Sequence, residues 1–271
     1  MRCVVFHGVG GREVMVVEDR PDPVPGRFEV AIAPAFAGVN PADVLQREGK
    51  HPVPAGAPKD VPGLEVGGRV VACGDGVSAL AVGDRAFGLV GGGGLAECVI
   101  AHERELARVP DALDDAAAAA APEAFLTAFD AVCLQAGLAS GETLLVNGAN
   151  GGVGTAAVQI AAFLGARVVA GVRSPELRPR IAALGATALA ADEAFAHVRE
   201  RGGADVVLEL VGAAHMAGNI EALARGGRLI VVGARPGDEV TLVLRDLMSR
   251  RAHLIGTTLR TRPLEEKAHL V

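Results

Sequence analysis

The residues best suited to chemistry stand in one run, Thr143 to Leu164, T-L-L-V-N-G-A-N-G-G-V-G-T-A-A-V-Q-I-A-A-F-L. Thr143–Val146 is a short apolar stretch of β-formers preceded by the turn residues Ser140-Gly141. Gly152–Leu164 carries a single polar side chain after Thr155, Gln159, and so predicts a helix that is apolar nearly all round and buried. Between them lies Ala149-Asn150-Gly151-Gly152-Val153-Gly154, a glycine-rich turn from strand to helix. Glycines there permit a tight turn and let backbone approach a pyrophosphate, and the helix N-terminus offers free N–H groups and the positive end of its dipole. The predicted chemistry is the binding of a dinucleotide, with Asn150, Gly151, Gly152 and Val153 at the phosphates, although Ala149 replaces the first glycine of the fingerprint.

Two textures surround this run. Up to about residue 110 the chain reads as short strands broken by glycine and proline: Arg2–Phe6, Val14–Val17, Phe28–Pro34, Gly68–Ala72, Arg85–Phe87 and Ala96–Ala101. One helix is expected there, Pro41–Glu48, with Asn40 as its N-cap and Pro41 at the first helical position. These elements predict a partly closed β-barrel. Gly49–Gly63, with four prolines, is read as a long loop of the kind that serves binding sites. From Asp111 helices and strands alternate. Helices are expected at Leu113–Ala121, Glu123–Gln135, Pro175–Leu184, Glu193–Arg201, His215–Ala224 and Leu244–Arg250. The strands, besides that of the fingerprint, are Arg167–Val172, Ala204–Leu210, Arg228–Val232 and His253–Leu259. Such alternation means a doubly wound parallel sheet, and the whole is an α/β protein.

Composition narrows the classes. The 271 residues include 36 glycines and 15 prolines and are 50% apolar, which describes a turn-rich globular chain with room for a sizeable core. With no Trp or Tyr, a net charge of -6 and scattered basic residues, a nucleic-acid partner is not expected. No segment has the apolar length of a membrane span, and the start of the chain lacks a signal-peptide layout. Cys3, Cys73, Cys98 and Cys133 show neither disulfide-framework nor zinc spacing, so reduced thiols in a cytoplasmic protein are expected. His7, His102, His197, His215, His253 and His269 show no metal spacing either.

Several strings carry a resemblance: Gly38-Val39-Asn40-Pro41-Ala42-Asp43, Pro62-Gly63-Leu64-Glu65-Val66, Pro122–Phe129, Gly148–Gly154, Ala204-Asp205-Val206-Val207 and Gly256-Thr257-Thr258-Leu259-Arg260. In this order they resemble the medium-chain dehydrogenase/reductase superfamily. Within it they look most like the zinc-free quinone oxidoreductases of zeta-crystallin type, and among those the tumour-suppressor-inducible group. The resemblance implies a GroES-like β-rich substrate domain over 1–121, a Rossmann domain over 122–258, and the start of a returning helix over 259–271.

It also implies a function. Zinc-using relatives carry Cys where this chain has Asn40 and His where it has Leu64, and the remaining Glu65 cannot hold a catalytic zinc alone. No metal is expected, which leaves hydride transfer from a reduced nicotinamide to a quinone or other conjugated carbonyl. The rival readings are an enoyl or alkenal reductase and a catalytically weak, crystallin-like cofactor-binding protein.

By the same resemblance Asn40 and Thr127 flank the nicotinamide, and backbone at Val211-Gly212, Gly233-Ala234 and Thr258-Leu259 lines the cofactor cleft. Relatives have Tyr at the positions of His51 and Leu95. His51, in the Pro-rich loop, is the tentative proton donor, with an exposed loop histidine as the plainer reading. At the ribose end Val172 stands where NAD-binding relatives have an acid, and Arg173 and Ser174 follow, which favours NADP(H). NAD(H) stays open because Leu177 and Asp192 replace a Lys and a Tyr of the family; Arg178 is the substitute for that Lys.

Two expectations concern assembly and extent. Relatives pair their last Rossmann strand across a two-fold axis, so a homodimer is expected. They also continue for a few dozen residues past the position of Val271, whereas Pro263–Val271 reads as the opening of a helix with no Gly or Asn cap. The chain is therefore read as a fragment or as a shortened form, one that binds a dinucleotide but turns over poorly and aggregates.

Overall fold

A computed structural model describes residues 1–234 and 239–271. By the density of its contacts the chain divides into two units, Met1–Leu126 with Leu259–Val271, and Thr127–Thr258. The first division falls inside a helix, α3 (Pro122–Phe129).

In the first unit β1 (Arg2–Phe6) and β2 (Met15–Asp19) form an antiparallel pair. Five more strands make an antiparallel sheet: β3 (Glu29–Gly38), β4 (Glu65–Cys73), β5 (Arg85–Leu89), β6 (Val99–His102) and β7 (Leu106–Arg108), in the order β6-β3-β4-β5-β7. Alternation puts Val30, Ile32, Val66 and Val70 inward, all within 1% of full burial, against Val90, Val99 and Leu106. Bulges between Ala31 and Ile32 and between Pro34 and Phe36 shift the register of β3 against β4, and bulges bend the strand that carries them. This is the GroES-like layer, with its helix α1 (Pro41–Arg47) directly after β3. Strand β7 escaped the sequence reading because three residues carry too little alternation to be told from a loop. A short helix, α2 (Asp115–Ala119), is N-capped by Asp114, whose carboxylate accepts the Ala117 N–H at 2.7 Å.

The second unit is a Rossmann sheet. Its strands are β8 (Thr143–Asn147), β9 (Arg167–Gly171), β10 (Ala186–Leu189), β11 (Ala204–Glu209), β12 (Leu223–Val231) and β13 (His253–Gly256). All neighbours are parallel, in the order β10-β9-β8-β11-β12-β13. Leu144–Val146 and Val206–Leu208 have no exposed surface, as expected of strands covered on both faces. The intervening helices are α4 (Gly152–Phe163), α5 (Arg178–Ala182), α6 (Ala191–Arg199), α7 (Met216–Ala222) and α8 (Leu244–Arg250). One core gathers Leu145, Val169, Phe195, Val198, Val207, Ile220 and Leu229.

Elsewhere the sequence expectations and the structure differ. Strand β10, A-T-A-L, was not foreseen because its small residues mimic a helix; it exists through its pairing with β9. The helix after the fingerprint is not buried all round: Gln159 is exposed and Phe163 is 92% exposed, so α4 keeps one face in solvent. The helix expected over Glu123–Gln135 begins at Pro122 and turns π-helical over Asp130–Gln135. After β13 the chain rejoins the first unit, where α9 (Leu264–Leu270) buries Leu270 against Leu64, Leu89 and Leu259.

Candidate active site

In the second unit the fingerprint turn closes between β8 and α4. Gly148, at φ 76°, makes the left-handed step, and its carbonyl accepts the Gly151 N–H at 3.1 Å. Gly154 is where helix and turn touch: a Cβ there would lie 2.5 Å from the Gly148 carbonyl oxygen and 2.6 Å from Ala149 Cα. Gly151 caps α4 without a side-chain acceptor, which leaves first-turn N–H groups for a ligand. Asn150, Gly151 and Gly152 are exposed and Val153 is half-buried. A helix end with no capping side chain, behind a turn that only glycine allows, fits the pyrophosphate of a dinucleotide.

The other predicted cofactor residues of this unit stand at the same, carboxyl, ends of the strands. Arg173 and Ser174 follow β9, with Arg173 exposed above the buried Val172. Arg178 folds back, its Nε donating to the Val172 carbonyl at 3.3 Å. Val211-Gly212 follow β11 and Gly233-Ala234 follow β12; Val211 comes close enough that a Cβ on Gly148 would sit 3.3 Å from its Cγ2. Thr258 is exposed two residues beyond β13, whereas the side chain of Leu259 is buried in the first unit beside Leu64. Thr127, on α3, is 8% exposed, and its hydroxyl has no partner among the described residues.

A buried polar cluster that the sequence reading missed shapes this end of the sheet. Asn147 and Glu209 are paired neighbours at the ends of β8 and β11, and with Asn219 all three have no exposed surface. The Glu209 carboxylate accepts from Val211 N (2.5 Å), Gly212 N (2.8 Å), Asn147 Nδ2 (3.0 Å) and Asn219 Nδ2 (2.6 Å). Four donors offset the burial of one carboxylate and fix the Val211-Gly212 loop. A glutamate closing the apolar run Val206-Val207-Leu208 was the available signal.

The first unit carries a second cluster. Asn40, at the N-cap of α1, donates Nδ2 to Glu65 Oε1 at 2.8 Å. Glu65 Oε2 accepts the backbone N–H of Glu123, in the first turn of α3, also at 2.8 Å. Asp43 accepts from Asn40 N (2.8 Å) and Gly63 N (2.9 Å). Arg260, 7% exposed, donates Nη2 to Gln46 Oε1 (2.6 Å) and to the Gly91 carbonyl (3.2 Å), while its Nε and Nη1 find no partner among the described residues.

Burial pushes the Glu65 carboxyl above its usual range in spite of its two donors. Glu123 is pushed up to about 7, first by burial, then by the charges of Glu65 and Asp43, with Arg260 opposing. His51 is half-buried, and burial and then the nearby Arg260 pull its imidazole below the ordinary value. Val53–Pro58 of the Pro-rich loop and Gly91–Gly93 line a cavity of about 800 Å³; His51 stands apart from that lining.

The positions that hold zinc in zinc-using relatives are engaged otherwise here. Both Glu65 oxygens already accept N–H groups, Leu64 is 1% exposed and offers no ligand atom, and Asn40 presents its amide nitrogen to Glu65. Among the described residues no helix is long and apolar enough to cross a membrane.

A GroES-like sheet joined to a Rossmann unit with a dinucleotide turn defines a medium-chain dehydrogenase/reductase. Residues 26–111 match the alcohol dehydrogenase GroES-like domain and residues 152–270 the zinc-binding dehydrogenase family. The chain is 33% identical over 275 residues to quinone oxidoreductase of Homo sapiens, spanning 98% of this chain and 82% of that protein. Quinone oxidoreductase of Pseudomonas syringae superposes with a TM-score of 0.84 at 28% identity, covering 99% of this chain and 83% of the other. A mycobacterial protein solved in complex with NADPH gives 0.86 at 30% identity, covering all of this chain and 86% of its own. The chain belongs to the quinone oxidoreductase family of the medium-chain dehydrogenases/reductases.

Proposed function

We propose that the protein is a zinc-independent, NADPH-dependent oxidoreductase that reduces quinones or related conjugated carbonyls. The observation that carries this reading is the identity to named quinone oxidoreductases over 98% of the chain. The geometry supports it: the α4 N-terminus and the Val211-Gly212 loop offer backbone to a dinucleotide, and Glu65 is occupied by Asn40 and Glu123 rather than free to bind a metal. When bound, the reduced nicotinamide supplies a hydride. The protein's part is to orient the carbonyl, exclude water and furnish one proton. Asn40 and Thr127 are the residues proposed to flank the nicotinamide.

NADPH is favoured over NADH because Arg173 is exposed beside Val172 with no acid at that strand end. The functional unit is proposed to be a homodimer built on the outer edge of β13. Mixing the protein with NADPH and a panel of quinones, enones and alkenals tests the reading. Oxidation of NADPH with the quinones supports it. Turnover confined to enones or alkenals would assign the chain to the enoyl reductases, and a rise in Tm with NADPH but no turnover would make it a cofactor-binding protein only.

A further inference from the structure

Resting on that reading, we propose that Glu123 is the acid that delivers the proton completing reduction of the carbonyl substrate. The reaction needs such a group. When hydride leaves the nicotinamide C4 and forms a new bond on the substrate, an electron pair moves onto the carbonyl oxygen. That oxygen then takes a proton as the Glu123 O–H bond breaks, and solvent returns a proton to the Glu123 carboxylate. For an enone the proton ends on the α-carbon. One NADPH and one proton are consumed, and the hydroquinone or saturated carbonyl and NADP⁺ are formed.

The geometry singles out Glu123 among the acids of the cluster. Glu65 and Asp43 are 3% and 4% exposed and spend their oxygens on N–H donors, so both are held as acceptors. Glu123 is only half-buried, and its hydrogen bond to Glu65 uses its backbone N–H and not its carboxyl. Its backbone is pinned by Glu65 Oε2, and Asn40 is pinned by Glu65 Oε1, so one carboxylate positions both. Thr127 follows Glu123 by four residues, one turn along the same face of α3.

The charged groups facing Glu123 are Glu65 from β4, Asp43 from α1 and Arg260 from the segment after β13. Burial first, and then two carboxylates against one opposing arginine, keep its proton on near neutrality, the condition under which a carboxylic acid can donate at pH 7. An acid placed in the first turn merely to complement the helix dipole would be held ionised instead. His51 has the opposite setting: with its pKa lowered, it is a neutral imidazole at that pH.

The test compares wild type with Glu123→Gln and Glu123→Asp. Infrared spectra of the unliganded protein at pH 6 should show a protonated carboxyl band that fades as pH passes 7 and is missing from Glu123→Gln. With NADPH and a quinone, Glu123→Gln should lose roughly a hundredfold or more in kcat, together with the fall of kcat above neutral pH, while its Kd for NADPH by fluorescence stays within about twofold. Glu123→Asp should keep that limb, shifted in pH. Wild-type kcat and an unchanged pH profile in Glu123→Gln, or an ionised Glu123 at pH 6, overturn the proposal alone. Should Glu123→Gln fail to fold, the wild-type infrared titration and the Glu123→Asp profile still decide. A wild type that binds NADPH and titrates as described but reduces no quinone, enone or alkenal overturns the functional reading as well.

Discussion

Glu65 accepts the backbone N–H of Glu123 at 2.8 Å, so one buried carboxylate anchors the helix end that carries another. The arrangement has a measurable cost. The Glu123 pKa is raised from 4.5 to about 7, so between those values the unfolded chain has released its proton while the folded one retains it. Stability must therefore fall as pH rises through that window and level off above it, by at most about 3 kcal/mol. Thermal melts between pH 4.5 and 8 should show a wild-type decline that is clearly reduced in Glu123→Gln. Parallel curves for the two proteins would show that Glu123 titrates normally.

At the fingerprint turn two glycines should separate fold from binding. Gly154→Ala drives a Cβ into Gly148 and Ala149 and should lower Tm by several degrees along with dinucleotide affinity. Gly152→Val, at an exposed position of the helix N-terminus, should abolish NADPH binding with little change in Tm. Fluorescence titration beside a melt tests both, and near-normal affinity in Gly152→Val would sink the pyrophosphate assignment.

Arg173 is the expected grip on a 2′-phosphate. A charge-assisted bond contributes about 1.5–3 kcal/mol, so Arg173→Ala should weaken NADPH roughly ten- to a hundredfold and leave NADH nearly unchanged. Equal losses with both dinucleotides would move the phosphate elsewhere.

Removing the Glu209 carboxylate takes the acceptor from four N–H donors, three of them buried. Glu209→Ala should cost on the order of 3 kcal/mol or more and loosen the Val211-Gly212 loop, read as a lower urea midpoint and a weaker NADPH Kd. Wild-type values for both would show that the network is incidental.

Among the described residues β13 is the outer strand of the parallel sheet and carries a half-exposed Leu254, and an apolar strand edge invites a partner. Light scattering at micromolar concentration should give the dimer mass, and Leu254→Lys should shift it toward the monomer. A monomer mass for the wild type refutes the assembly.

Much of this was legible in the chain. The Gly148–Gly154 turn and the all-apolar strand Leu144–Val146 identify the dinucleotide unit because their residue types admit few other uses. Helix α8 was placed to the residue: Leu244–Arg250 stops where Arg251 turns to φ 50°. Strands β7 and β10 were not legible: three residues in one, and alanines in the other, leave pairing partners to decide. The polar clusters were also hidden. Asn147, Glu209 and Asn219 are distant in sequence, and only parallel strand register brings the first two side by side. Likewise Glu123 looks like an ordinary helix-opening acid until Glu65 and Asp43 are placed against it.

The first unit is assembled from both ends of the chain, with the Rossmann unit inserted between them, and this orders events during synthesis. Arg260 reaches Gln46 across 214 residues, and Leu259 and Leu270 complete the cluster that holds Leu64 and Leu89. A growing chain on the ribosome thus exposes Leu64 and Leu89, uncovered on that side, until the entire second unit has been made. The second unit, contiguous from Thr127 to Thr258, has every strand of its sheet before Arg260 emerges. The inserted unit is positioned to fold first, and the unit begun earliest in the sequence is the last to close.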